Sequence, residues 1–131
     1  MGILRKTILI VILVGLIGSL LYLFMFRNNE IVINIENKTK KEISGLSLEY
    51  KYYEKKKDIG TIGAGEKKTI KADLPDNFDE GAIILSYKDK TGENHEEILF
   101  AYLEKGYSGK SDVILSSIDD EGKISIETSE N

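Results

Sequence analysis

Cysteine and tryptophan are absent from this chain of 131 residues, and proline and histidine occur once each. Without cysteine there is no disulfide scaffold, no thiolate-held metal and no lipobox, since a lipoprotein needs a cysteine to acylate. One histidine cannot supply the several nitrogen or sulfur ligands of a zinc site. Arginine is nearly missing as well: Arg5 and Arg27 are its two copies. Lys, Ile, Glu and Asn dominate instead, the bias of an AT-rich, low-GC Gram-positive genome.

Charge is missing altogether from residues 7–26, TILIVILVGLIGSLLYLFMF. As a helix rising ~1.5 Å per residue, this run reaches about 30 Å, the thickness of a bilayer's hydrocarbon core. A cleaved signal peptide has a shorter apolar stretch ending in small residues, whereas this one ends in Tyr22, Leu23, Phe24, Met25 and Phe26. A type IV pilin needs a Glu inside the apolar helix, and the first acid here is Glu30. N-myristoylation wants Ser or Thr where Lys6 stands. The expectation is an uncleaved transmembrane helix at 7–26 behind a cytoplasmic segment at 1–6. Arg5, Lys6 and the α-amino group outweigh Arg27 with its following Glu30, which keeps the N-terminus cytoplasmic and the C-terminal domain extracellular. Tyr22, Phe24 and Phe26 then fall at the outer interface. Gly15 and Ser19, four apart, form a small-xxx-small pair that offers a candidate helix–helix contact, although both residues are ordinary in membrane helices.

Past a short linker at 27–30 the pattern turns from continuous to alternating. Ile31, Ile33 and Ile35 oppose Val32, Asn34 and Glu36, as in a half-buried strand. Leu46, Leu48, Tyr50 and Tyr52 oppose Ser47, Glu49, Lys51 and Tyr53. Further runs are Ile70, Ala72, Leu74; Ile83, Leu85, Tyr87; Ile98, Phe100, Tyr102; Val113, Leu115; and Ile124, Ile126. Turn-forming clusters separate them, among them Asn37-Lys38-Thr39, Gly63-Ala64-Gly65 and Asp119-Asp120-Glu121-Gly122. This predicts an all-β, antiparallel, seven-stranded sandwich over 31–127, with a flexible tail at 128–131. Residues 59–74, IGTIGAGEKKTIKADL, and 82–93, AIILSYKDKTGE, resemble bacterial immunoglobulin-like or fibronectin-III-like modules, which carry a Gly-Glu turn, a Thr/Ile-rich strand and then such a hairpin. The resemblance implies an immunoglobulin-like fold, and that fold by itself implies no particular activity. The missing Cys…Trp…Cys framework excludes the antibody type.

Residues 28–131 carry 15 lysines against 22 acids, a net charge of −7, which argues against nucleic-acid binding and against lying flat on anionic lipid. His95 stands among Glu93, Glu96 and Glu97, where a solvated strand-edge residue is the simpler reading than a general base or a metal ligand. Asp119, Asp120 and Glu121 read as a hairpin tip, because Gly122 closes the cluster before a calcium loop could form. Asp76, Asp79 and Glu80 read likewise as an acidic loop. Gly60, Gly63 and Gly65 form no phosphate-binding fingerprint. Asn37-Lys38-Thr39 matches a glycosylation acceptor and is read as a turn. Tyr53, Lys55, Lys56 and Lys57 form the candidate partner-binding strip, with Tyr52 buried and Tyr53 exposed. The chain is thus expected to be a single-pass cell-membrane protein without catalysis, cofactor or metal. Its role is that of a binding module for a protein or cell-wall partner near the bilayer. The alternative is an immunity or inhibitor protein that neutralises an external toxin or enzyme.

Overall fold

A computed structural model describes residues 2–25 and 30–131. The helix α1 covers Gly2–Met25, and the apolar run long enough to cross a membrane is Gly2–Phe24. It begins five residues before the expected span, because nothing between Gly2 and Thr7 breaks a helix. Its described side chains are exposed, the apolar Leu16 and Leu20 along with Arg5 and Lys6. The Ser19 hydroxyl donates to the Gly15 carbonyl at 2.9 Å, so the small pair is satisfied within its own helix. Phe26, Arg27 and the linker residues Asn28 and Asn29 lie outside the described residues.

Eight strands follow: β1 (Ile31–Asn37), β2 (Ile43–Tyr50), β3 (Lys56–Ile62), β4 (Lys67–Lys71), β5 (Glu80–Lys88), β6 (Asn94–Glu104), β7 (Gly109–Ile118) and β8 (Ile124–Glu130). They form two four-stranded sheets, ordered β4-β1-β7-β8 and β3-β2-β5-β6. The second sheet is antiparallel throughout, whereas the first contains the parallel pair β1–β7. One apolar cluster draws on both, including Ile33, Ile35 and Leu115 from the first and Leu48, Leu85 and Phe100 from the second.

The expected seven strands become eight because β3 hides its periodicity. Leu46 faces Gly60 and Ser47 faces Asp58, so Ile59 is an extra residue in a bulge. Gly60 takes φ +80° there, and the inward residues Ile59 and Ile62 end up three apart instead of two. Gly45, at φ +83°, shifts the register of β2 in the same way. The expected tail at 128–131 is also corrected: Thr128, Ser129 and Glu130 pair with Val113, Asp112 and Ser111. Their polar side chains gave no apolar signal, since this edge strand lies with most of its residues exposed.

Two polar groups hold the sheets to one another. Asn37, fully buried at the end of β1, has its Nδ2 within 2.8, 3.1 and 3.1 Å of the Lys41, Ile62 and Gly63 carbonyls. Its Oδ1 accepts from the Thr39 amide and hydroxyl. A nitrogen so enclosed is closed to glycosylation in the folded domain. On the other side, Tyr87 of β5 accepts from the Ile124 amide at 2.9 Å and donates to the Ile124 carbonyl at 3.3 Å. Asn37→Ala leaves buried carbonyls without a donor and should cost about 2–4 kcal/mol, whereas Tyr87→Phe should cost about 1–2 kcal/mol. Chemical denaturation of the two variants tests this order; a silent Asn37→Ala would refute it.

Candidate functional site

β2 ends at Tyr50, and the chain turns over Lys51 and Tyr52 with the Tyr53 amide donating to the Tyr50 carbonyl at 3.0 Å. Tyr52 occupies the third position of this turn with φ +71°, the only positive φ at a non-glycine residue among those described. Glycine or asparagine is the usual occupant, because a Cβ strains there. The turn breaks the alternation that the sequence appeared to continue. Tyr52 therefore swings out to 83% exposure and Tyr53 swings in, reversing the expected orientation of both. The Tyr53 ring lies 5.2 Å from that of Phe78, and its hydroxyl accepts from the Asp79 amide and donates to the Glu80 carbonyl. Phe78 is itself buried, so the acidic loop around Asp76 and Asp79 is closed by an aromatic plug.

The lysines expected beside Tyr53 disperse. Lys55 donates to the Asp73 carbonyl at 2.7 Å, and Lys57 reaches the Lys71 carbonyl and the Asp73 carboxylate. Lys56 points to the outer face of the sheet and pairs with Glu49 at 3.0 Å. Hydrogen bonds from Lys56 first, then Ser86, hold the Glu49 carboxyl below its usual range. Tyr53, Lys55 and Lys56 still line one open depression together with Glu49 and Glu54, while Lys57 turns away to Asp73.

What the turn does create is an apolar groove on the outer face of β2-β5-β6. Two bulges in β6 are responsible. Ile84 faces Ile98 and Ile83 faces Phe100, which makes Leu99 an extra residue, and a second shift separates Ile83 from Gly81. Leu99, Phe100 and Leu103 consequently enter the core, while Ile98 and Tyr102 turn to solvent at 58% and 56% exposure. Simple alternation had put Ile98, Phe100 and Tyr102 on one face. Tyr52, Ile98 and Tyr102 are the exposed large apolar residues among those described in the β-domain. All three line one groove of about 290 Å³, together with Lys51, Glu80 and Ile84. The Tyr102 hydroxyl donates to Glu80 Oε2 at 3.0 Å and lies 3.2 Å from Glu104 Oε1. The hydrogen bond to Glu80, then burial and Glu104, push its phenol up to about 12, so it stays neutral. The outer face of the other sheet carries a hydrogen-bonded ladder running Thr69–Asn34–Asp112–Asn131 beside the half-buried Val32 and Ile114.

No family model and no curated protein matches the chain. A solved NMR structure of a protein from Eubacterium rectale is similar at 12% identity, covering 76% of this chain and 88% of that one, with a TM-score of 0.46.

His95 belongs to a hairpin lock. Asp89 Oδ1 accepts from the amides of Thr91 and Glu93 and from the Thr91 hydroxyl, and Oδ2 sits 2.8 Å from His95 Nε2. The imidazole stacks on Tyr87 at 5.0 Å between centroids. Asp89, Glu93 and His95 bring ligand atoms within 4.8 Å of one another. Both Asp89 oxygens, however, are already engaged in shaping the turn.

Two predictions follow from this geometry. Tyr53→Ala should destabilise by about 1–3 kcal/mol, because it loses ring packing and two hydrogen bonds, whereas Tyr52→Gly should keep or raise the melting temperature by relieving the left-handed turn. Equal losses in a thermal melt would refute the assignment. Asp89 is held well below the usual carboxylate range, by His95 first and Thr91 second. Its stabilising effect is complete above the unfolded value of about 4 and is lost as the pH falls toward the lower native value. Asp89→Asn should therefore melt lower than the wild type at pH 6, and the gap should narrow between pH 4 and pH 2.

Proposed function

We propose that this chain is a non-catalytic interaction module, anchored by α1 and presenting its β-domain on the outer side of the cell membrane. The carrying observation is Tyr52: an aromatic side chain held exposed on a strained turn, beside Ile98 and Tyr102. Strain at a surface residue costs of order 1–3 kcal/mol and is kept where the surface is used. Exposed aromatics gathered in one groove fit the anchor positions of protein interfaces. The length of α1, the charges at Arg5 and Lys6, and the acid-free run before Glu30 support the single-pass anchor and its orientation. Its nearness to the first strand favours a partner close to the bilayer, either another protein or the inner zone of the wall. The paired four-stranded sheets also support reading the domain as an immunoglobulin-like sandwich.

A second reading, an immunity or inhibitor protein acting on an arriving toxin or enzyme, is favoured by the carboxylates of Glu80 and Glu104 at the edge of the groove. Inhibitors of this kind commonly place acidic groups against a basic target.

The absence of cysteine makes the test clean. A single Asp120→Cys variant of the full chain should react with a membrane-impermeant maleimide on intact cells, and protection until lysis would reject the orientation. A photo-crosslinking residue at position 98 should then capture one discrete partner, while the same residue at position 127, on the opposite sheet, should not. Equal yields from both positions would reject the groove as the binding face.

A further inference from the structure

We propose that the groove receives a cationic segment of a partner protein, with an arginine or lysine seated at Glu80 and Glu104 and a neighbouring apolar side chain laid on Ile84 and Ile98. This deepens the reading above, and it rests on that reading for the choice of face.

Charge complementarity carries the choice of partner. The Tyr102 hydroxyl gathers Glu80 and Glu104 at one point, yet neither carboxylate has an ion pair among the described residues. The lysines that border the site do not supply one. Lys51 lies 5.5 Å over the Tyr52 ring, and Lys105 follows Glu104 without pairing to it. Two acids sharing one hydroxyl are short of positive charge, and one guanidinium or ammonium relieves both. Tyr52 and Tyr102 add aromatic faces on which such a cation is also attracted. The apolar floor explains why a lone cation is too small an occupant: Ile84, Ile98 and Tyr102 offer area that only an apolar neighbour covers.

The other occupants are disfavoured by the same charges. A second copy of this chain would bring Glu80 and Glu104 against their own kind, on a domain whose residues 28–131 already carry −7. Anionic lipid and polyanionic wall polymer meet the same repulsion. Addition of a strand along β6 is opposed by its two bulges and by Glu96, Glu97 and Glu104, features that protect edges from pairing.

The test uses the full chain in zwitterionic phosphatidylcholine nanodiscs, with isoleucine δ1 methyls labelled for NMR. The probe is a capped ten-residue peptide carrying two arginines around an Ile-Trp pair, and its control has glutamates in place of the arginines. The arginine peptide should shift the Ile84 and Ile98 methyls saturably, and the glutamate peptide should not. The Glu80→Gln/Glu104→Gln variant keeps acceptors for Tyr102 and should weaken binding roughly fivefold or more, with a flatter salt dependence. Unchanged circular dichroism would show that the variant folds.

Equal binding by variant and wild type, or equal shifts from both peptides, would overturn the cationic partner while leaving the face intact. Silence of Ile84 and Ile98 with the arginine peptide would overturn the proposal, and the crosslinks at position 98 would judge the face separately. Stronger shifts from phosphatidylglycerol nanodiscs alone would overturn it in favour of lipid, and concentration-dependent shifts of the protein alone in favour of a second copy.

Discussion

A single buried amide, that of Asn37, holds the β-domain in its closed form. It ends β1 in one sheet and reaches the Ile62 and Gly63 carbonyls where β3 leaves the other. Its main chain is tied to the turn that carries β3 over to β4 in the first sheet, with the Asn37 amide donating to the Glu66 carbonyl and the Gly65 amide donating to the Asn37 carbonyl. No apolar side chain of similar size could do this, because each end of the loop leaves carbonyls that need a donor once water is excluded. Tyr87 repeats the solution toward β8, and its ring also supports the hairpin held by Asp89 and His95. The apolar cluster supplies the bulk of the driving force, and these two groups fix how the sheets meet.

With the sheets fixed, irregular backbone decides what the surface shows. The β6 bulges send Leu99, Phe100 and Leu103 inward together and leave Ile98 and Tyr102 outside. The Tyr50–Tyr53 turn does the same across the sheet, exposing Tyr52 and burying part of Tyr53. Each departure costs something: a ladder bond missed, a left-handed tyrosine, an apolar ring in water. They converge on one groove bordered by Glu80 and Glu104, which have no ion pair among the described residues, while the other sheet keeps a hydrogen-bonded polar ladder.

The long apolar helix was legible in the sequence, because length and absence of charge are properties of a continuous run. The strand alternation of Ile31, Ile33 and Ile35, and of Val113 and Leu115, was legible for a similar reason: a regular strand repeats every two residues whatever it packs against. Pairing was not. The identity of β1's parallel neighbour, the extra residue at Ile59, the bulge at Leu99 and the strand character of Thr128–Glu130 all depend on the strand across the ladder. Phe78 was missed because it plugs the core from a loop and belongs to no periodic run. Of the candidate groove little was legible: alternation through the Tyr-rich stretch pointed to Tyr53 as the exposed residue, whereas Tyr52 faces solvent and Tyr53 belongs to the packing. By itself, then, the sequence determined the apolar helix, the β-class and the acidic balance, since each follows from composition or local period. Only the tertiary structure decided which aromatics are exposed and which acids gather at one hydroxyl, because one bulge or turn reverses every side chain that follows it.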